Sequence, residues 1–323
     1  MLLNIRNIAK GLRQCRDNSN TIGGFIKLLL KSLSTLPLEG RLISDRSAIS
    51  DGKLYLVQNG KKRWIHSIDI IENLNLQSSA VVSISNKRIQ QLSEGDPILS
   101  PASKIAVRRN VSKTFICGNG VEIGALHDPL WTPSEATVRY VDIVTEENSK
   151  AIFPTLSSFV KVDIIDDGET LATIENGTLD FIIANHFLEH CINPLGTIRN
   201  HLQKIRKNGV LYYALPNKDL TFDRDRAITT FEHLVKDDIE GGQISKREHY
   251  MDYAKYVDHM IDPEEQKDQA RKLEKSDNRI HFHVWDADAI NIFFKKATEY
   301  LNESCTIEHI EAVDNEVICV LRK

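Results

Sequence analysis

From about residue 114 the chain alternates apolar, strand-like runs with helical stretches, and it closes on two strand-like runs joined by a tight Asp314-Asn315 turn. That alternation predicts an α/β domain whose sheet is doubly wound, mostly parallel and finished by an antiparallel hairpin. A period-two pattern on both sides of Asn59-Gly60 places a small α+β module in front of it.

The elements follow in chain order. Residues 1–36 read as a helical segment that stops at Pro37. Residues 37–100 form the β-rich module. Residues 53–58 and 61–65 pair as a hairpin, because Asn59 and Gly60 accept positive φ, and a short helix at 68–73 and a strand at 80–85 follow. Gly95, Pro97 and Pro101 mark a linker. The main domain spans 113–323. Its strands are expected near 115–116 and 121–123, then at 138–142, 162–165, 179–184 and 210–215. A helix carries Leu195, Ile198, Leu202 and Ile205 at helical spacing. Residues 217–284 are too long for a plain strand-to-helix connection and are expected to be an ordered lid, with a solvated charged helix at 262–277. A helix at 287–301 and strands at 305–313 and 316–321 end the chain.

Composition narrows the function. The formal net charge of -4 gives no global field for nucleic acid, so no nucleic-acid partner is expected. The apolar stretch 22–30 is short and interrupted by Lys27, which predicts no transmembrane segment. The five cysteines are scattered without disulfide or zinc-ribbon spacing, and a reducing cytoplasm is the expected compartment. At the hairpin, Lys61, Lys62 and Arg63 are either a solvated tip or an anion-binding patch.

The chemistry concentrates at strand ends. Residues 121–124, Val-Glu-Ile-Gly, end an apolar strand with the acidic Glu122 and a glycine turn at Gly124 and Ala125. About 20 residues on, the next strand ends in Asp142, where a carboxylate can accept from ribose hydroxyls. The run Asp166-Asp167-Gly168-Glu169 follows the third strand, and the fourth ends in Asn185-His186. Ligands of open α/β sheets bind beyond such strand ends. The glycines that usually follow the first are replaced by Leu126 and Asp128, and a G-x-G-x-x-G fingerprint is absent, which disfavours a nicotinamide enzyme.

These strings, E-I-G-A-L-H, Y-V-D, D-D-G-E-T-L, L-D-F-I-I-A-N-H-x-L-E-H and N-G-V-L-Y-Y-A-L-P, resemble the bacterial class I S-adenosylmethionine-dependent methyltransferase family called type 11-like, with its Rossmann-like sheet. The resemblance implies that S-adenosyl-L-methionine is the cofactor. Glu122, Gly124 and Ala125 would face its methionine part and Asp142 its ribose. Asp167 and Gly168, with Asp166 as the alternate, would lie at the adenine. Asn185 and His186 would lie near the methyl. The pattern Y-L-V-x-N-G-K-K-R-x-I resembles a β-rich module of bacterial surface-associated proteins.

Histidines supply the remaining candidates. His186 is the expected base and His233 a second. On a helix His186, Glu189 and His190 would share one face and form a metal set; without a metal, Glu189 and His190 would only shape the helix start. Arg224 and Arg226 are candidates to clamp an anionic part of the substrate, against a surface salt-bridge run. His281 and His283 are expected on one face of a returning strand, in contact with substrate. The expected activity is methyl transfer to a small molecule or glycan-type acceptor. The alternative is a non-catalytic binding or scaffold protein on the same fold.

Overall fold

A computed structural model describes residues 37–45, 53–67, 70–71, 81–156, 158–302 and 305–323. The expected helix over 1–36 and most of that over 68–73 lie outside them. Two compact units, 1–100 and 101–323, divide the chain.

In the first unit β1 (Leu42–Asp45), β2 (Leu54–Gln58), β3 (Lys61–Ile65), β4 (Val82–Ile84) and β5 (Ser93–Glu94) form a five-stranded sheet in the order β4-β1-β2-β3-β5, with a short helix α1 at Asn86–Gln90. The β2–β3 hairpin turns at Asn59 and Gly60, both at positive φ, and the Glu39 carboxylate accepts from both their amides. Alternation sends Ile43 and Val57 into one apolar layer and Leu42, Leu56 and Ile65 into another. The basic hairpin is not an open patch. Lys62 is buried and pairs with Glu94, while Arg63 bonds Gln58 and the Asp96 carbonyl.

The second unit is a Rossmann-like, mostly parallel sheet. It begins with α2 (Lys104–Phe115), which is N-capped by Ser103 and runs from just after the expected linker into the strand expected at 115–116. The strands are β6 (Gly118–Ile123), β7 (Ala136–Asp142), β8 (Ile164–Ile165), β9 (Leu179–Asn185), β10 (Ile205–Pro216), β11 (Thr306–Val313) and β12 (Glu316–Arg322). Their order is β11-β12-β10-β9-β6-β7-β8. All pairs are parallel except those made by β12, which is antiparallel to both β10 and β11. Chain direction across the sheet reverses between β6 and β9, so the crevice at their carboxyl ends is the switch point. Residues of β9 alternate between faces: Ile182 and Ala184 join the layer of α4 (Pro194–Lys204) and α8 (Ala287–Tyr300), while Phe181 and Ile183 pack with Val107 and Val111 of α2. A further helix, α3 (Glu146–Ile152), follows β7.

The inserted segment 217–284 carries three helices, α5 (Phe231–Glu240), α6 (Lys246–Tyr256) and α7 (Pro263–Lys275). Residues 278–284 form no strand; Trp285 makes an isolated bridge to Asn217.

The closest backbone approach is at Gly120 in β6. A Cβ there would meet the carbonyl oxygen and ring of Phe181 on β9. Gly120→Ala is expected to cost about 1–3 kcal/mol through overpacking, read as a lower urea midpoint. An unchanged midpoint would show that β6 and β9 are not packed this closely.

Candidate functional site

β6 delivers Glu122 and Gly124 to the switch point. Gly124 has φ +63, which favours a residue without Cβ, and the chain turns again at Leu126. The buried Glu122 carboxylate accepts from Leu130 N at 2.9 and 3.2 Å and from Asn185 Nδ2 at 3.4 Å, closing the loop between. Burial raises its pKa to about 7 against those bonds.

Two cavities meet at Gly124 and His186. One, of about 280 Å³, is lined by Asp142, Asp167, Gly168, Phe187, His190 and Arg279 among others. The other, of about 170 Å³, is lined by Lys104, Arg108, Glu122, Ala125, Asn185 and His186 among others. All seven residues expected at the cofactor therefore line one cavity or the other. Asp142 is half-buried, and burial raises its pKa. Asp166 spends its carboxylate on Asp167 N, Thr173 N and Thr173 Oγ1, so Asp167 is the acid left at the cavity. A Cβ on Gly168 would lie 2.5 Å from Ile123 and 2.7 Å from Phe187. The loop is fixed from behind by His201, which the sequence reading passed over. Burial lowers its pKa to about 4, so the neutral ring donates from Nε2 to Gly168 O at 2.7 Å and accepts from Tyr213 OH at 2.9 Å. Asn185 Oδ1 is buried with no hydrogen-bond partner among the described residues.

His186 sits at φ +49 after β9, with its amide bonded to Ala214 O. Its Nε2 is 2.9 Å from Glu316 Oε2 and its Nδ1 3.5 Å from Glu189 Oε1. Glu316 opens β12, is fully buried, and takes a two-pronged bond from Arg108 of α2, both contacts at 2.6 Å. Burial alone would lower the His186 pKa; the two carboxylates outweigh it and raise the value to about 9. Burial would raise Glu316; His186 and Arg108 outweigh it and bring it to about 2. An imidazolium bonded to Glu316 through Nε2, with the Glu189 carboxylate 3.5 Å from Nδ1, has no lone pair for a proton, so the expected role of His186 as base does not fit.

The other expected site residues separate. His190 and His281 stand edge to face, ring centroids 4.7 Å apart, and His190 lines the larger cavity. His281 Nδ1 bonds Asp223 Oδ2 at 2.6 Å. His283 instead points to His233 and His249, away from both cavities, because the backbone at 278–284 lacks strand alternation. His233 is thus not a partner of His186. Arg226 is buried, with donors on Asp223, Asp252 and the carbonyls of His281 and Phe282, so it is no substrate clamp. Arg224 is exposed and lines neither cavity. The metal set His186, Glu189 and His190 is not assembled, since Leu188–His190 is a 3₁₀ turn and the α-helix starts only at Pro194. The trio that approaches ligand geometry is Glu189, His190 and His281.

The His186 pair makes a pH prediction. A raised folded-state pKa contributes stability that is complete below pH 6.5 and is lost as pH rises through about 9. The wild-type denaturation midpoint should fall over that window, and the fall should flatten in His186→Gln. Equal slopes in the two proteins would refute the imidazolium assignment.

A family model described as a methyltransferase domain matches residues 115–297. A search of curated proteins finds no match. Among solved structures, a SAM-dependent methyltransferase from Aquifex aeolicus is 10% identical, covering 68% of this chain and 89% of its own, with TM-score 0.36. A putative S-adenosyl-L-methionine-dependent methyltransferase from Methanococcus maripaludis is 15% identical, covering 69% and 85%, with TM-score 0.37. A SAM-dependent methyltransferase from Thermotoga maritima, described as a possible histamine N-methyltransferase, is 11% identical, covering 68% and 91%, with TM-score 0.34. The family model spans more than half of the chain, and the protein belongs to the methyltransferase-domain family.

Proposed function

We propose that this chain transfers the methyl group of S-adenosyl-L-methionine to a small-molecule or glycan-type acceptor. The observation that carries the reading is the ring of groups at the switch point. Asp142, Asp167 and the Gly168 backbone suit an adenosyl group in the larger cavity. Glu122, Gly124, Ala125 and Asn185 suit the methionine end in the smaller one. Lys104, half-buried beside them, supplies a cation for the methionine carboxylate.

Methyl transfer is an in-line displacement. A lone pair on the acceptor forms the new bond to carbon, the carbon–sulfur bond breaks to leave a thioether, and the acceptor gives up a proton. His190 takes the part of base in place of His186. Its Nδ1 faces the carbonyls of Ile280 at 2.9 Å and Arg279 at 3.0 Å, so Nδ1 carries the proton and Nε2 keeps its lone pair. Burial, with His281 beside it, lowers its pKa, so it is neutral at pH 7.

Bonds from a ligand to a charged group contribute about 1.5–3 kcal/mol, so Asp142→Ala should raise the Kd for S-adenosyl-L-methionine about 10- to 100-fold. Calorimetry reads it, and undiminished binding would sink the ribose assignment. A wild-type chain that binds no cofactor would favour a scaffold role on a methyltransferase fold. Once an acceptor is in hand, His190→Ala should lower kcat about 100-fold with cofactor affinity kept. A second reading, metal-assisted transfer through Glu189, His190 and His281, is favoured by the fully buried Glu189 carboxylate, which makes no hydrogen bond among the described residues and has the His186 ring 3.5 Å from Oε1 as an ion pair. In that case turnover returns to chelated enzyme on adding a divalent metal, and His281→Ala abolishes the return.

A further inference from the structure

The inserted segment brings a second group of histidines together outside both cavities. α5 presents His233 and Asp237 four residues apart, on one face. α6 presents His249, and the segment after α7 presents His283. His233 Nε2 lies 3.0 Å from Asp237 Oδ2 and 3.1 Å from His249 Nε2, and His283 Nε2 is 3.7 Å from the same carboxylate oxygen. One ligand atom from each of the four residues lies within 4.8 Å of all the others.

Hydrogen bonding alone leaves this group short of partners. Asp237 is 1% exposed and His283 fully buried, yet Asp237 Oδ2 makes no hydrogen bond among the described residues and His283 Nε2 has only the Ile192 carbonyl at 3.5 Å. A buried carboxylate oxygen without a partner is costly. The other Asp237 oxygen accepts from the buried Ser245 hydroxyl, which orients the carboxylate as an outer-shell partner does for a metal ligand. The Trp285 ring stacks on His283 and Phe282 packs edge-on to His249, so the rings are held from outside.

We propose that His233, Asp237, His249 and His283 bind one divalent transition-metal ion, with Zn²⁺ the fitting occupant, in a closed tetrahedral site. Bonds of about 2.0–2.1 Å in a tetrahedron separate neighbouring ligand atoms by about 3.3 Å, which falls among the separations of 3.0, 3.1 and 3.7 Å given above. Three imidazoles and one carboxylate suit Zn²⁺, whereas Ca²⁺ and Mg²⁺ require an oxygen-rich shell. Four protein ligands leave no open position, which makes the site structural. Its consequence reaches the larger cavity. The amides of Phe282 and His283 both donate to the Glu189 carbonyl, and Arg279, a few residues upstream, bonds Glu169 across the cavity wall. A metal on His283 therefore fixes the segment that carries Arg279 and His281.

The full chain, purified without a histidine tag, is expected to carry stoichiometric Zn²⁺ by elemental analysis. His249→Ala and Asp237→Asn should lose it, while His281→Ala, which belongs to the cavity-side trio and supplies no atom to this group, should keep it. CoCl₂ added to the metal-stripped wild-type chain should produce the intense visible bands of tetrahedral cobalt, displaced by ZnCl₂. This readout needs no variant to fold. Metal retained in both His249→Ala and Asp237→Asn would overturn the proposal. So would metal lost only in His281→Ala, or a stripped wild-type chain that takes up neither cobalt nor zinc.

Discussion

The site is built around a buried chain of alternating charge: Arg108, Glu316, His186 and Glu189. Its links are 2.6, 2.9 and 3.5 Å, and both carboxylates are fully buried. Each ion taken out of water loses several kcal/mol of solvation, and only near-ideal geometry with an opposite charge offsets that loss. The arrangement fixes four parts of the fold together: α2 supplies Arg108, β12 supplies Glu316, the end of β9 supplies His186, and the turn at Leu188–His190 supplies Glu189. The antiparallel direction of β12 follows from the same demand. Only a strand running opposite to β10 begins, rather than ends, at the level of the switch point, and it begins with Glu316 paired to Pro216.

That chain also sets what the site's histidines can do. His186 is held at φ +49 by its amide bond to Ala214 and is clamped between carboxylates. It serves as a fixed cation. His190, one turn on, has Nδ1 on backbone carbonyls and no hydrogen bond on Nε2 among the described residues. Two histidines four positions apart thus fall into opposite protonation states, because one has acidic partners and the other has carbonyls and burial.

The sheet was legible because its causes are local. The nearly continuous apolar runs at 179–184 and 210–215 and the helical spacing of Leu195, Ile198 and Leu202 need no distant partner to be read. The residues expected at the cofactor come together at the two cavities for a related reason: each stands at a strand end, and strand ends share one edge of the sheet. The charge chain was not legible. Arg108 and Glu316 are separated by 208 positions and His186 and Glu316 by 130, and no periodicity links them. α2 was missed because the reading passed from the Gly/Pro linker before it directly to a strand at 115–116, although Val107 and Val111 mark its buried face. The alternation rule failed at 279–285. There the backbone answers to Trp285, Asn217 and the Glu189 carbonyl instead of to a strand neighbour, and His281 and His283 part company.

On the proposed reaction, the charge arithmetic explains how a cationic donor tolerates a site that already holds cations. Arg108 is matched by Glu316 and His186 by Glu189, so neither presents an uncompensated positive field to a sulfonium. In the larger cavity Arg279 is matched by Glu169, which leaves Asp142 and Asp167 for an adenosyl group, while Lys104 stands in the smaller cavity, which Glu122 and Asp128 also line. Transfer turns the sulfonium into a neutral thioether and releases a proton from the acceptor. If that proton reaches Nε2 of His190, the new imidazolium stands beside Glu189, whose charge favours protonated His190. The positive charge lost at sulfur thus reappears at His190, and the total charge of the site is unchanged across the chemical step.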